Sequence, residues 1–323
     1  MKRNFKSIML SACLSLSTLA VISIPISSNA AANIDIQSVL QQERTWAGLA
    51  SKRVKVAEID WAYSEGGAKG KPVIMLVHGL AGSRDNWNRV ARYLTNDYHV
   101  IIPDLPGQGD SKAPQDFDYS IPNLTEKLRR FAEAIQIDKN LHVGGHSMGG
   151  AIALLYAAQY PIDTKSLLLL DSAGVFKSAN TPYLKDPNLL RNFVVSKPGD
   201  FDKLFKIAAY SPPFIPKELK VEQEKLMISN ATNTSKLIEQ LIVMSKSFTP
   251  DTFALAARSI DQPILIIWGD KDQIINVEAA SELKGLLKNA QDPVILKNVG
   301  HMPLLEQEQV LVQHYLEFMN KHK

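Results

Sequence analysis

From Pro72 onward the chain alternates short unbroken apolar runs with longer segments in which apolar residues return every three or four positions. The runs fall at 73–77, 99–102, 141–143, 166–170, 264–267 and 294–296. Such runs, lacking a polar face, are expected of strands buried on both sides. Helical spacing occupies 87–94, 124–137, 148–160 and 304–318. Strands alternating with helices predict an α/β fold, a mostly parallel central sheet with helices on both faces. Ahead of Pro72 the pattern differs. Residues 33–52 read as a short polar helix or leader packed on the body. Val54-Lys55-Val56 and the stretch from Glu58 to Tyr63 alternate as a β-hairpin does, around a polar break at 64–71.

One region interrupts the alternation. About ninety residues separate Asp171 from Ile264, and they hold Pro182, Pro187, Pro198, Pro212, Pro213 and Pro216. Amphipathic stretches at 201–210 and 222–244 predict a helical cap inserted above the sheet at about 175–255. The alternative is a long crossover with no role in binding. Phe201, Leu204, Phe205, Ile207, Leu237, Leu241 and Met244 stand at helical spacing in this insert. As a set they are expected both to hold the cap together and to wall an apolar pocket.

The first thirty residues are of another kind. Lys2, Arg3 and Lys6 precede an apolar, Ser-rich stretch from Ile8 to Ile26, which ends at Ser28-Asn29-Ala30-Ala31-Ala32. This is the pattern of a secretory signal peptide over residues 1–30, leaving 31–323 as the folded domain. A retained membrane anchor is one alternative. A lipoprotein tethered through Cys13 is another, because Leu10-Ser11-Ala12-Cys13 is similar to a lipoprotein cleavage box.

The segment also changes the charge. The whole chain has 36 Lys and Arg, 33 Asp and Glu, and a net charge of +3. Its three N-terminal cations account for that excess, so the remainder is balanced. No basic surface then argues for nucleic acid. At 45% hydrophobic and 21% charged residues the composition is that of a folded protein. No second stretch is apolar and long enough to span a bilayer, so the exported chain is expected to be soluble and secreted or periplasmic. Cys13 is the single cysteine, so there is no internal disulfide.

The candidate chemistry lies at the ends of the predicted strands. Gly145-His146-Ser147-Met148-Gly149-Gly150 joins a strand to an Ala-rich helix, a G-x-S-x-G in the setting that exposes a nucleophilic serine. Val77-His78-Gly79-Leu80-Ala81-Gly82 follows an earlier strand, and its glycines let the Leu80 N–H point at a developing oxyanion. The Met148 N–H, at the start of the helix, would be the second donor. His78 is taken as structural, ordering this loop. Serine needs a base. His301, in the loop after the last strand, fits best among the seven histidines. His99, His142, His314 and His322 lie in strands or in and beyond the final helix, and His146 is expected to point away on the tight turn. The imidazole needs an acid. Asp272 in Trp268-Gly269-Asp270-Lys271-Asp272 is preferred, with Asp270 and Asp171 as alternatives. The order Ser147, Asp272, His301 is the order such folds use. Asp270 and Asp272 alone are too few for a metal site.

These motifs, with Ile102-Pro103-Asp104-Leu105-Pro106-Gly107-Gln108-Gly109, Asp171-Ser172-Ala173-Gly174 and the cap segment Ser211-Pro212-Pro213-Phe214-Ile215-Pro216-Lys217, resemble the α/β-hydrolase superfamily. A narrower likeness is to the family V bacterial triacylglycerol lipases. The resemblance implies hydrolysis of acylglycerol esters through an acyl-enzyme on Ser147, with Asp272 and His301 catalytic and no cofactor. The expected partners are a small-molecule or lipid ester and a lipid interface. Other acyl, polyester or carbon–carbon substrates keep the same serine, and a non-enzymatic binding protein or folding helper is the remaining reading.

Overall fold

The computed structural model describes residues 35–322, so the signal peptide expected over 1–30 and Cys13 lie outside the described residues. After α1 (Ile36–Trp46), strands β1 (Leu49–Val56) and β2 (Ile59–Gly66) pair antiparallel. The hairpin turns at 57–58, where Ala57 takes a φ of +49°, and not at the polar break expected over 64–71. Ser64 and Glu65 instead continue β2 against β4 (His99–Pro103), following β3 (Val73–Val77) in the chain. They look like loop residues in sequence because their partners are distant. Glu65 ion-pairs with Lys52 and hydrogen-bonds His99 across the strands.

The sheet is completed by β5 (Leu141–His146), β6 (Thr164–Leu170), β7 (Ile264–Gly269) and β8 (Val294–Leu296). Its order is β1-β2-β4-β3-β5-β6-β7-β8, antiparallel through the first three strands and parallel from β4 onward. The helices in chain order are α2 (Asn88–Leu94), α3 (Ile121–Ala134), α4 (Met148–Gln159), α5 (Pro182–Lys185), α6 (Asp200–Ala208) and α7 (Lys217–Ser229). Then come α8 (Ala231–Ser245), α9 (Pro250–Arg258), α10 (Glu278–Leu286), α11 (Pro303–Glu306) and α12 (Glu308–Lys321).

The apolar runs are buried on both faces, as their lack of a polar side requires. Ile74, Leu76, Leu168, Leu170 and Ile267 pack with Val90 and Leu94 of α2 and with Leu311 and Tyr315 of α12. Their alternates Met75, Val77, Leu167, Leu169 and Ile266 pack with α3, α4, α9 and α10 through Leu128, Ile152, Ala257 and Leu283. Each such Leu or Ile contributes roughly 1.5–3 kcal/mol on burial. Strong anchoring on both faces fixes the strand ends, and the chemistry sits there.

The insert between β6 and β7 is helical, as expected, but its limits differ. Phe253 and Ala257 of α9 are buried in the same core as α4, so the chain has rejoined the body by Pro250. The single stretch expected over 222–244 is two helices, broken at Asn230, whose carbonyl accepts from the Thr234 N–H at 3.0 Å. Asn competes for local backbone bonds and so favours helix ends. Likewise 304–318 is divided at Gln307. Among the described residues no helix is long and apolar enough to cross a membrane.

Candidate active site

β5 runs straight into α4 with only Ser147 between them. Ser147 takes φ 55° and ψ −124°, a conformation that a β-carbon disfavours and that the surroundings must hold. They hold it through the main chain. The Ser147 N–H donates to Leu170 O at 3.0 Å, and its carbonyl accepts from Gly150 and Ala173 at 2.8 and 2.9 Å. The turn also needs bare backbone on both sides. A β-carbon on Gly145 would lie 2.1 Å from Gly149 O, and one on Gly149 would lie 2.3 Å from Val77 O. The glycines of the motif are thus steric requirements of this turn.

The loop after β3 lies against the serine, since a β-carbon on Gly79 would approach Ser147 Cβ to 3.0 Å. Among the described residues neither the Leu80 nor the Met148 N–H donates a hydrogen bond to the protein. Leu80 lines the cavity into which Ser147 opens. His78 orders the loop as expected: Nδ1 donates to Gly79 O at 2.8 Å, and Nε2 accepts from the Leu105 N–H at 2.9 Å. That pattern requires the neutral ring, and burial lowers its pKa to about 4. The Ala81 N–H donates to Gln108 Oε1 at 3.1 Å. Asp104 ion-pairs with Arg84 and accepts from the Arg84 and Asp110 N–H groups. The 102–109 motif is therefore the buttress of the Leu80 loop.

In the loops after β7 and β8, His301 Nδ1 donates to Asp272 Oδ2 at 2.7 Å, with both side chains nearly without exposure. Asp272 Oδ1 accepts from the Ile274 and Ile275 N–H groups at 2.8 and 2.9 Å, which fixes the carboxylate plane. With the proton on Nδ1, Nε2 is left as the basic nitrogen. Asp270 serves its own turn, accepting from the Asn298 N–H at 2.7 Å. Asp171 is buried nearby, its Oδ1 accepting from the Gly269 N–H at 2.9 Å. The other histidines stand apart: His99 bonds Glu65, His142 bonds Ser166, His314 faces Glu317 and His322 packs on Phe318. His146 does not simply point away. Its Nε2 donates to the main-chain carbonyl of His301.

Ser147 and His301 open onto a cavity of about 460 Å³, also lined by Leu80 and by the cap residues Phe201, Leu204, Phe205 and Leu219. Four of the expected pocket residues are not in this wall. Ile207 is exposed, Leu237 is fully buried, Leu241 packs on the main core, and Met244 lies elsewhere on α8. The reason is that α8 docks downward on the body, where Gln240 bonds the main chain of Phe117 and Tyr119. α1 contributes Ile36, Val39 and Leu40 to the cavity instead, a role its polar sequence did not announce.

Glu306 is a further residue that the motifs missed. Oε1 accepts from Gly300 and Met302 at 3.0 and 3.3 Å, and Oε2 from Tyr210 and Ser211 at 2.8 and 2.6 Å. One carboxylate thus joins the His301 loop to the cap. The His301 N–H adds a bond to Ala208 O at 2.7 Å. Asp171, Asp272 and His301 bring ligand-capable atoms within 4.8 Å of one another. The 2.7 Å Nδ1–Oδ2 contact is nevertheless a hydrogen bond, and an ion coordinated there at about 2.0–2.2 Å would have to break it.

Residues 72–308 match the family model described as the alpha/beta hydrolase fold. The chain belongs to the α/β-hydrolase family. It is 37% identical to Lipase 1 of Psychrobacter immobilis over 296 residues, covering 90% of each chain. A solved lipase candidate from Acinetobacter baumannii AYE is 61% identical, with a TM-score of 0.89 over 91% of this hydrolase and 98% of that chain. The solved structure of a membrane phospholipase A is 36% identical, with a TM-score of 0.82 over 88% and 90%.

Proposed function

We propose that this chain is a serine carboxylic-ester hydrolase of the lipase and esterase kind, acting on acylglycerols through a Ser147–His301–Asp272 triad. One observation carries the reading: a half-buried elbow serine and an Asp-held imidazole open together onto a cap-walled, largely apolar cavity. Ser147 Oγ attacks the ester carbonyl while His301 Nε2 takes its proton. The Leu80 and Met148 N–H groups receive the oxyanion. His301 then protonates the departing alcohol, leaving Ser147 acylated. Water, deprotonated by the same nitrogen, attacks the acyl-enzyme and releases the acid. Every step moves a proton between oxygen and one imidazole nitrogen.

The lipid character of the substrate rests on the apolar cavity and on the lipases among the relatives. Export of the chain after cleavage near residue 30 rests on the N-terminal charge and apolar pattern, with tethering through Cys13 as the alternative. The deciding experiment labels purified protein with a fluorophosphonate beside Ser147→Ala, then assays p-nitrophenyl esters and triacylglycerol emulsions. Labelling confined to the parent, and a kcat lower by roughly 10⁴-fold or more in the variant, is the expected result. Ester turnover near the parent level in pure, folded Ser147→Ala would reject the mechanism.

A further inference from the structure

We propose that Asp171 is a positioning residue, a neutral carboxylic acid that donates a hydrogen bond from Oδ2 to the Asp272 carboxylate behind His301. The proposal deepens the triad reading and rests on it.

Asp171 directly follows β6, one strand away from the β7 that leads to Asp272, and has no exposure. Two carboxyl groups and one imidazole therefore share a dry space in which their ligand atoms lie within 4.8 Å. Two carboxylates so close cannot both ionise beside a single neutral ring. The proton goes to the group with fewer donors. Asp272 receives three, from the Ile274 and Ile275 N–H groups and from His301 Nδ1. Asp171 receives one, from Gly269, and its Oδ2 is buried with no partner that could donate to it. A proton on that oxygen turns an orphaned acceptor into a donor beside Asp272. Burial first, and then the Asp272 charge, hold the Asp171 carboxyl well above the usual carboxylate range.

The surrounding groups favour the same state. Glu306 adds negative charge from the end of α11, which further favours the proton on Asp171. Tyr183, from α5, keeps its own hydroxyl occupied by donating to Gly174 O at 3.1 Å. Held by Asp171, the Asp272 carboxylate keeps one orientation while His301 gains and loses its proton, and part of its charge is drawn away from the imidazole. Asp171 itself exchanges no proton in the cycle.

Asp171→Asn is the informative variant. Asn tolerates the φ of +41° at this position, keeps an oxygen for the Gly269 N–H and offers an N–H to Asp272, but cannot ionise. The kcat per fluorophosphonate-titrated site should stay within about threefold of the parent, with the acidic limb of the kcat/KM profile unmoved. If Asp171 were an anion in the parent, the same change would remove a charge beside His301 and move that limb toward lower pH. A shift of about one unit or more overturns the proposal. Asp171→Ala should lower kcat about tenfold or more at similar KM and move the limb upward, because Asp272 then keeps its whole charge for the imidazole. A merely structural defect would reduce the titrated sites and leave the limb in place, and that result also overturns it. Should Asp171→Ala fail to fold, the Asn profile decides alone. Asp272→Asn, measured in parallel, separates the two levels. If it stays active while Asp171→Asn is dead, the acid of the triad is misassigned; if it is dead and Asp171→Ala behaves as the parent, only the positioning role falls.

Discussion

His146, the residue before the nucleophile, donates through Nε2 to the main-chain carbonyl of His301 at 2.7 Å. The two rings lie 4.9 Å apart, and the bond requires a proton on His146 Nε2. His146 and His301 are 155 residues apart in the chain, and this contact ties the end of β5, beside the proposed nucleophile, to the loop of the proposed base. Burial, and next the nearby His301, lower the pKa of His146 to about 3. It stays neutral, so no second cation would compete with the imidazolium that the proposed reaction forms on His301.

Histidines kept neutral in this way make the fold sensitive to acid. An unfolded imidazole titrates near 6.5, whereas folded His78 does so at about 4. The folded value is the lower one, so the unfolded chain binds more protons, and this contribution is full above pH 6.5 and lost as pH falls toward 4. His78→Asn should lower stability at pH 8 but lessen the acid loss by up to about 1.4 kcal/mol per pH unit across that window. Urea unfolding of parent and variant at pH 7.5, 6 and 5 measures the difference. Parallel curves would show that His78 titrates alike in both states.

Glu306→Ala removes four main-chain bonds that join the cap to the His301 loop. A loss of about 2 kcal/mol of stability is expected, as is typical when charged hydrogen bonds leave donors unpaired. Because His301 would be less well placed, kcat should fall by about tenfold even at saturating ester. Denaturant unfolding and steady-state kinetics on the same preparation test both parts. Normal kcat in a destabilised protein would confine Glu306 to holding the cap.

The cavity walls predict how activity depends on the acyl chain. Each methylene placed against Phe201, Leu204 or Leu219 can contribute about 0.8 kcal/mol, close to fourfold in binding. The kcat/KM should therefore rise from acetate through medium-chain p-nitrophenyl esters. Leu204→Asp should flatten that rise while sparing acetate, whereas Val243→Asp, on the exposed side of α8, should not. A preference for acetate that Leu204→Asp leaves unaltered would take the cap out of substrate recognition.

Export is expected to leave an N-terminus near Ala31 or Asn33, since small residues follow the apolar stretch there. Intact mass of the exported protein decides this. A chain starting at Cys13 with added lipid mass would establish the tethered form instead.

The parts of this molecule that were legible in its sequence are those whose physics is local. A run such as Val73–Val77 announces two buried faces by itself, and Gly145 and Gly149 announce a turn that excludes β-carbons. The hairpin turn was hidden because Glu65 finds its counter-charge on Lys52, thirteen positions earlier. The periodicity of α8 gave the width of its apolar stripe but not which surface would receive it, so Leu237 was expected in the pocket and lies in the core. Glu306 had no signal at all, because its partners are main-chain N–H groups as far away as Tyr210. Asp171 and Asp272 were both legible as strand-end acids, and only their donors tell them apart.

The cavity wall includes Ser147 and His301 but not Asp272 or Asp171, which lie on the sheet side of the imidazole. The molecule is thereby divided into a part that meets the substrate and a part that never does. Under the proposed reading, changes at Phe201, Leu204 or Leu219 would exchange one acyl group for another without touching the carboxyl pair. A descendant of this chain could acquire a new diet by rewriting the cavity side of α6 and α7, provided that Ala208, Tyr210 and Ser211 still hold the His301 loop.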